Sequence, residues 1–153
     1  MTADASSVSD LAAVFHSVLF AYQKVLRDAA GDIPAQTITS LTVPVVNEIL
    51  ERTSSGLLNT ESVDDALRNL SEWVNTTGTV QRFRIERSDD RYISIVEGCS
   101  FAQSVHSMLK PTDVTCPWAI VTMAVLQSVG KRRVKVNPSE FSSSGARTTI
   151  EPV

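Results

Sequence analysis

The segment Val80-Gln81-Arg82-Phe83-Arg84-Ile85-Glu86-Arg87-Ser88-Asp89-Asp90-Arg91-Tyr92-Ile93-Ser94-Ile95-Val96 decides the fold class, because the spacing of side-chain character changes there from a helical period to an alternation. Val80, Arg82, Arg84 and Glu86 alternate with Gln81, Phe83 and Ile85, which puts the two sets on opposite faces of a strand. Ser88-Asp89-Asp90 supplies turn-forming residues, and Tyr92 to Val96 reads as the returning strand. The segment therefore predicts a β-hairpin.

Upstream the period is helical. Leu11, Val14, Phe15, Val18, Leu19, Tyr22, Val25 and Leu26 recur at three- and four-residue spacing, and Ala12, Ala13, Phe20 and Ala21 broaden the stripe. So broad a face predicts packing on more than one neighbour or on a second subunit. Ser9 or Asp10 is placed to cap this helix, and Gly31 and Pro34 to end it. A second helix reads from Ala35 to Thr53 through Ile38, Leu41, Val45, Val46, Ile49 and Leu50, with a kink or late start expected at Pro44. After the break at Ser54-Ser55-Gly56, a third runs from Ser62 to Asn75 with Val63, Ala66, Leu67, Leu70, Trp73 and Val74 on one side. Thr60 or Ser62 would cap it, and Asp64 and Asp65 suit its first turn.

Downstream of the hairpin, Phe101, Val105, Met108 and Leu109 predict a helical stretch that stops at Lys110-Pro111. Another helix opens at Pro117 and is apolar nearly all round through Trp118, Ile120, Val121, Met123, Ala124, Val125 and Leu126, so it belongs at the centre. Gly130 ends it, Lys131 to Val136 alternate as a strand, and Arg147 to Glu151 form a last strand after the turn at Ser142 to Gly145. The order is three helices, two strands, a helical stretch with a second helix, and two strands. That order predicts an α+β fold with N-terminal helices packed on a small antiparallel sheet. Residues 1–9 read as a flexible leader and residues 10–153 as a single ligand-binding-type domain.

The 153 residues are 42% hydrophobic and 20% charged, with 14 Lys+Arg against 17 Asp+Glu, which suits one ordinary soluble domain. The net charge of -3 argues against a nucleic-acid partner. No apolar run reaches the roughly 20 residues of a membrane span. MTADASSVSD lacks the basic and apolar regions of a secretory signal, so a cytoplasmic location is the expectation. In that compartment Cys99 and Cys116 are expected to be free, metal-bound or redox-active rather than bridged.

The densest chemical constellation is Glu97-Gly98-Cys99, His106 and Asp113-Val114-Thr115-Cys116-Pro117. Both cysteines fall where a helix is expected to begin, and outward-pointing N–H groups there would lower a thiol pKa. His106 stands about two helical turns beyond Cys99. Cys99, His106 and Cys116, with Asp113, Glu97 or water in a fourth position, make a donor set for zinc. The competing readings are that both cysteines are small buried apolar residues, or that they form a redox or catalytic thiol set. His16 reads as a boundary residue beside the apolar stripe. Lys131, Arg133 and Lys135 share a strand face that suits a carboxylate or phosphate, although a solvated edge is the commoner fate of such a run.

Tyr22, Phe101, Met108, Trp118 and Met123 are the candidates to line an apolar ligand pocket, against the alternative that they pack the core. The chain carries no phosphate loop, dinucleotide glycine fingerprint, G-x-S-x-G elbow or H-E-x-x-H. No catalytic residue is assigned, and an enzyme is not the leading expectation.

The helix and strand order, with Glu97-Gly98-Cys99-Ser100-Phe101 and Asp113-Val114-Thr115-Cys116-Pro117, resembles archaeal proteins of the 4-vinyl-reductase domain group. That hydrocarbon-binding group shares a superfamily with haem nitric-oxide-binding domains and with the acyl-binding subunits of the TRAPP tethering complex. The resemblance spans Leu11 to Glu151 and implies an α+β fold, a homodimer formed through the N-terminal helices, and a pocket for a small apolar molecule. Cys99 and Cys116 are the positions that match the family's cysteines; Asp113 precedes Cys116 without the family's glycine, and no histidine stands as a haem ligand. The leading expectation is an apolar-ligand binding or sensor domain with a zinc site. The alternatives are a structural interaction subunit of the tethering type and a thiol- or zinc-dependent enzyme.

Overall fold

The computed structural model describes residues 5–30, 35–53, 56, 58–109 and 114–153. Helices α1 (Ala5–Ala30), α2 (Ala35–Thr53) and α3 (Val63–Thr76) precede strands β1 (Arg82–Ser88) and β2 (Arg91–Glu97). A single helical turn, α4 (Ala102–Val105), tightens into a 3-10 turn at His106–Met108. Helix α5 (Pro117–Gly130) is followed by β3 (Val134–Val136), β4 (Glu140–Phe141) and β5 (Gly145–Pro152). The fold class is α+β, as the sequence order predicts. Among the described residues no helix is long and apolar enough to cross a membrane.

The local chemistry of α3 and α5 explains their boundaries. Ser62 takes the N-cap of α3, its hydroxyl oxygen accepting from the Asp65 amide at 3.4 Å, with Asp64 and Asp65 in the first turn. Ala66, Leu67, Leu70 and Val74 form its buried stripe. At the far end Asn75 clamps the helix to β1: it donates to the Phe83 carbonyl at 3.1 Å and accepts from the Phe83 amide at 2.7 Å. Helix α5 starts on Pro117, whose missing N–H costs nothing in the first turn. Its Ala119, Thr122, Met123, Ala124, Val125 and Leu126 are buried, so it is the central helix the apolar run predicts.

All strand pairs are antiparallel, in the order β1-β2-β5-β3, with β4 also on β5. The turn between β1 and β2 uses Asp89 in the left-handed region at φ 57, a conformation aspartate tolerates better than most residues. Phe83 faces Val96, Val96 faces Ala146, and Glu97 faces Gly145. The main core joins Leu67, Leu70, Val74, Phe83, Val96, Met123, Leu126, Val136 and Ile150, between the helices and one face of the sheet. A smaller cluster of Phe20, Val105 and Val114, with Leu109 and Phe141 against it, holds α1.

The structure corrects several local expectations. Helix α1 already runs at Ala5, so Ser9 and Asp10 lie within it and not at its start. Helix α2 passes through Pro44 instead of starting after it. The expected helix across Phe101 to Leu109 is one turn plus a 3-10 turn, and Cys99 therefore does not sit at a long helix start. Lys131 is not a strand residue. It terminates α5 in the left-handed conformation at φ 50, leaving only Lys135 of the basic run inside β3, where it pairs with Glu151 at 3.4 Å. The closing region holds three strands where two are expected, and β5 pairs with β2, β3 and β4 and begins at Gly145, a residue expected in the turn. The expectations at Gly31, Pro34, Ser54, Ser55, Lys110, Pro111 and Asp113, and those on the side chains of Leu11, Ile38, Leu41 and Met108, lie outside the described residues.

Gly145 is required by close packing. A Cβ there would overlap the Val96 carbonyl oxygen of β2, so any side chain forces β5 away from its partner. Gly145→Ala is expected to destabilise the protein by about 1–3 kcal/mol or more through overpacking. Leu70→Ala is expected to cost about 2–5 kcal/mol by leaving a cavity. Denaturant unfolding followed by circular dichroism measures both, and a wild-type midpoint for Gly145→Ala would contradict the register.

Candidate functional site

The side of α1 that touches the body is set by His16, Phe20 and Gln23, residues at three- and four-residue spacing opposite the apolar stripe. Phe20 is 2% exposed and meets Phe141 edge-on, with ring centroids 5.5 Å apart. Gln23 spans to the strand-like segment before α5: its Nε2 donates to the Thr115 carbonyl at 3.1 Å and its Oε1 accepts from the Thr115 amide at 3.0 Å. His16 packs on Phe20 and Phe101, with centroids 4.5 and 4.9 Å away. Val14, Phe15, Val18, Leu19, Tyr22, Val25 and Leu26, the stripe expected to pack on more than one neighbour or on a second subunit, point outward and are exposed.

Around His16 the fold gathers a group that the sequence reading did not. The ligand atoms of His16, Cys99 and His106 all lie within 4.8 Å of one another, and among the described residues this is the group of His, Cys and carboxylate donors that comes together. Cys116 is not a member. It caps α5 from a buried position, with its amide donating to Ser139 Oγ at 2.7 Å. Glu97 is engaged elsewhere, in an ion pair with Arg84 at 2.5 Å.

Two features set the protonation of the histidines. His106 is buried, and its Nδ1 faces the carbonyl oxygens of Ser142 and Gly145 at 3.2 and 3.1 Å. Carbonyls only accept, so Nδ1 carries the proton and Nε2 the lone pair. Burial lowers the His106 pKa, and those two carbonyls act against it. Burial and then the neighbouring His106 push the His16 pKa down to about 4, so at neutral pH both rings are uncharged. His16 Nε2 is buried without a hydrogen-bond partner among the described residues.

The cysteines depart from expectation. Burial raises the Cys99 pKa despite amide hydrogen bonds from Phe101 and Ala102 that lower it. Burial pushes Cys116 up to about 12, beyond what the Trp118 amide recovers, with the nearby Cys99 adding to the rise. Helix-start donors are present at both thiols, but desolvation wins, so neither is an activated nucleophile.

The residues expected to line an apolar pocket sit in different surroundings where they are described. Tyr22 is on the outer face of α1, Met123 is fully buried in the main core, and Trp118 packs edge-on to Trp73 at 6.1 Å. Phe101 lies beneath His16, and the Met108 side chain is outside the described residues. Among the clefts formed by the described residues are two that none of these side chains lines. One, of about 540 Å³, is lined by Gly78, Val80, Gln81, Glu97, Gly98, Cys99, Ser100, Ser143 and Ser144. The other, of about 320 Å³, lies between α3 and the β1-β2 hairpin beside Arg68, Arg84 and Tyr92. His16 is the functional candidate the sequence reading set aside. Its available signal was its place at i and i+4 with Phe20, on the side of α1 opposite the stripe.

This arrangement of helices on a five-stranded antiparallel sheet is the fold class of TRAPP-type subunits. In particular, the chain is similar to a trafficking protein particle complex subunit 3 from Naegleria fowleri, whose crystal structure is covalently bound to palmitic acid. The TM-score is 0.50 at 8% identity, covering 97% of this chain and 96% of that one, and the likeness is one of fold. No protein-family model and no curated protein matches the chain.

Because the thiolate fraction of Cys116 at neutral pH lies on the order of a thousandfold below that of an ordinary thiol, its alkylation in the folded protein is expected to be correspondingly slow. Cys99 should react more slowly than a free thiol, and both should label at once after denaturation. Iodoacetamide labelling read by mass spectrometry checks this, and fast native labelling of both cysteines would contradict their burial.

Proposed function

We propose that the chain is a non-catalytic assembly domain of the tethering-subunit kind that pairs with a second copy of itself through the outer face of α1. The observation that carries this reading is the reversed helix. Its apolar stripe of Val14, Phe15, Val18, Leu19, Tyr22, Val25 and Leu26 faces away from the body, while the narrow face of His16, Phe20 and Gln23 docks. Val45 and Ile49 of α2 are exposed as well. An apolar surface on the order of several hundred Å² marks an interaction site in a protein outside a membrane.

A second copy suits this face for two reasons. An apolar stripe along one helix can meet its own copy, which is what a two-fold interface requires. The charges beside it, Lys24 and Asp28, pair with each other along the same helix at 3.6 Å, so two copies meet without unmatched charge from these residues.

A second reading is that an apolar ligand occupies or extends this interface. Support for it is the fold likeness to a subunit that holds palmitic acid. The fold likeness is to a tethering-complex subunit, so we favour the tethering branch of the superfamily over the 4-vinyl-reductase branch.

Light scattering behind size-exclusion chromatography is expected to give a dimer for the wild-type protein. Leu19→Glu combined with Tyr22→Glu should produce a folded monomer, because each side chain contributes about 1.5–3 kcal/mol of buried apolar contact to the pair. A wild-type protein that remains monomeric at high micromolar concentration would sink the assembly reading. Native mass spectrometry after incubation with palmitate tests the second reading, which is abandoned if no complex forms.

A further inference from the structure

We propose that His16, Cys99 and His106 form a binding site for a divalent transition-metal ion of zinc's chemistry, which fastens helix α1 to the junction between β2 and α4. The donor atoms lie within 4.8 Å of one another. Zinc bound by nitrogen at about 2.0 Å and sulfur at about 2.3 Å sets its donors about 3.5 Å apart, so a closure on the order of 1 Å completes the shell.

Two independent features point to a ligand. His16 Nε2 is a buried nitrogen with no hydrogen-bond partner among the described residues, a state that native interiors rarely leave unexplained. His106 is held as a metal-ligating histidine usually is. Its Nδ1–H is directed at the backbone carbonyls of Ser142 and Gly145, which fixes the ring and leaves the Nε2 lone pair toward the group. The carbonyls belong to the start of β5 and the turn before it, so sheet pairing orients the ligand.

The donor set selects the ion class. Two imidazoles and one thiolate suit zinc and its borderline neighbours, whereas magnesium and calcium want oxygen. Cys99 would bind as thiolate, its proton leaving to solvent, and three protein donors leave one position for water. Cys99 also lines the open 540 Å³ cleft, which gives an ion a way in. The site draws its ligands from α1, from the second residue after β2 and from the 3-10 turn, so the ion would tie together segments far apart in the chain. It rests on these three side chains and not on the pairing of two copies.

The test is a titration of protein purified without an affinity metal, using Co(II) alone and then Zn(II) in competition. The expected result is one equivalent per chain, a thiolate-to-cobalt charge-transfer band that zinc abolishes, and a higher unfolding temperature. His16→Gln, Cys99→Ser and His106→Gln should each weaken binding by at least the ~10–100-fold that loss of even an outer-shell partner costs. Cys116→Ala should leave affinity unchanged. A folded wild-type protein that gives no charge-transfer band overturns the proposal, whatever the fate of the variants. So does binding that survives His16→Gln and disappears in Cys116→Ala.

Discussion

The pairing of β5 with β2 is the constraint on which the rest of the structure depends. Gly145 stands opposite Glu97, and the absence of a side chain lets the two backbones approach to where the Val96 carbonyl would otherwise be blocked. Through that approach the Ser144 carbonyl receives the Cys99 amide at 2.9 Å. The Ser142 and Gly145 carbonyls come to face His106 by the same route. Without β5 on β2, Cys99 and His106 would hang on an unsupported loop, and the small cluster that seats α1 would lose Phe141.

Two physical effects compete at the cysteines, and their relative size decides what the site can do. Amides at the start of α4 and α5 stabilise a thiolate, as the placement of both residues suggests. Burial opposes them and is larger, so the thiols are held protonated rather than activated. The same burial keeps His16 and His106 neutral and therefore able to donate a lone pair. A desolvated, uncharged cluster of imidazoles and a thiol is poorly suited to nucleophilic catalysis. It is better suited to structure: an aromatic cage with Phe20, Phe101 and Phe141, in which polar nitrogens are few and directed.

Helix α1 shows why an amphipathic pattern does not by itself name the buried side. Its stripe from Val14 to Leu26 is regular, yet the body takes the opposite face. The contacts that seat it are specific ones: the Phe20 ring against Phe141, and the paired hydrogen bonds between Gln23 and Thr115. Hydrophobicity of a stripe reports that something apolar must cover it and leaves open whether that cover belongs to the same chain. Regular patterns such as the β1-β2 hairpin, the Ser62 cap and the Pro117 start were legible because their causes are local. The short strand β4 and the broken α4 were not, because a two-residue strand and a single helical turn carry too little periodicity to register.

By itself the sequence determined the α+β class, the order of helices and strands and the central position of α5. Each of these follows from side-chain period, capping chemistry or residue type, which act within a few residues of chain. Only the tertiary structure decided that His16 and not Cys116 joins Cys99 and His106, and that α1 turns its apolar stripe outward. Both depend on residues dozens of positions apart meeting through β5 and the Phe20 cluster, and on burial outweighing the helix-start amides. Such long-range packing and desolvation leave no periodic mark in the local sequence.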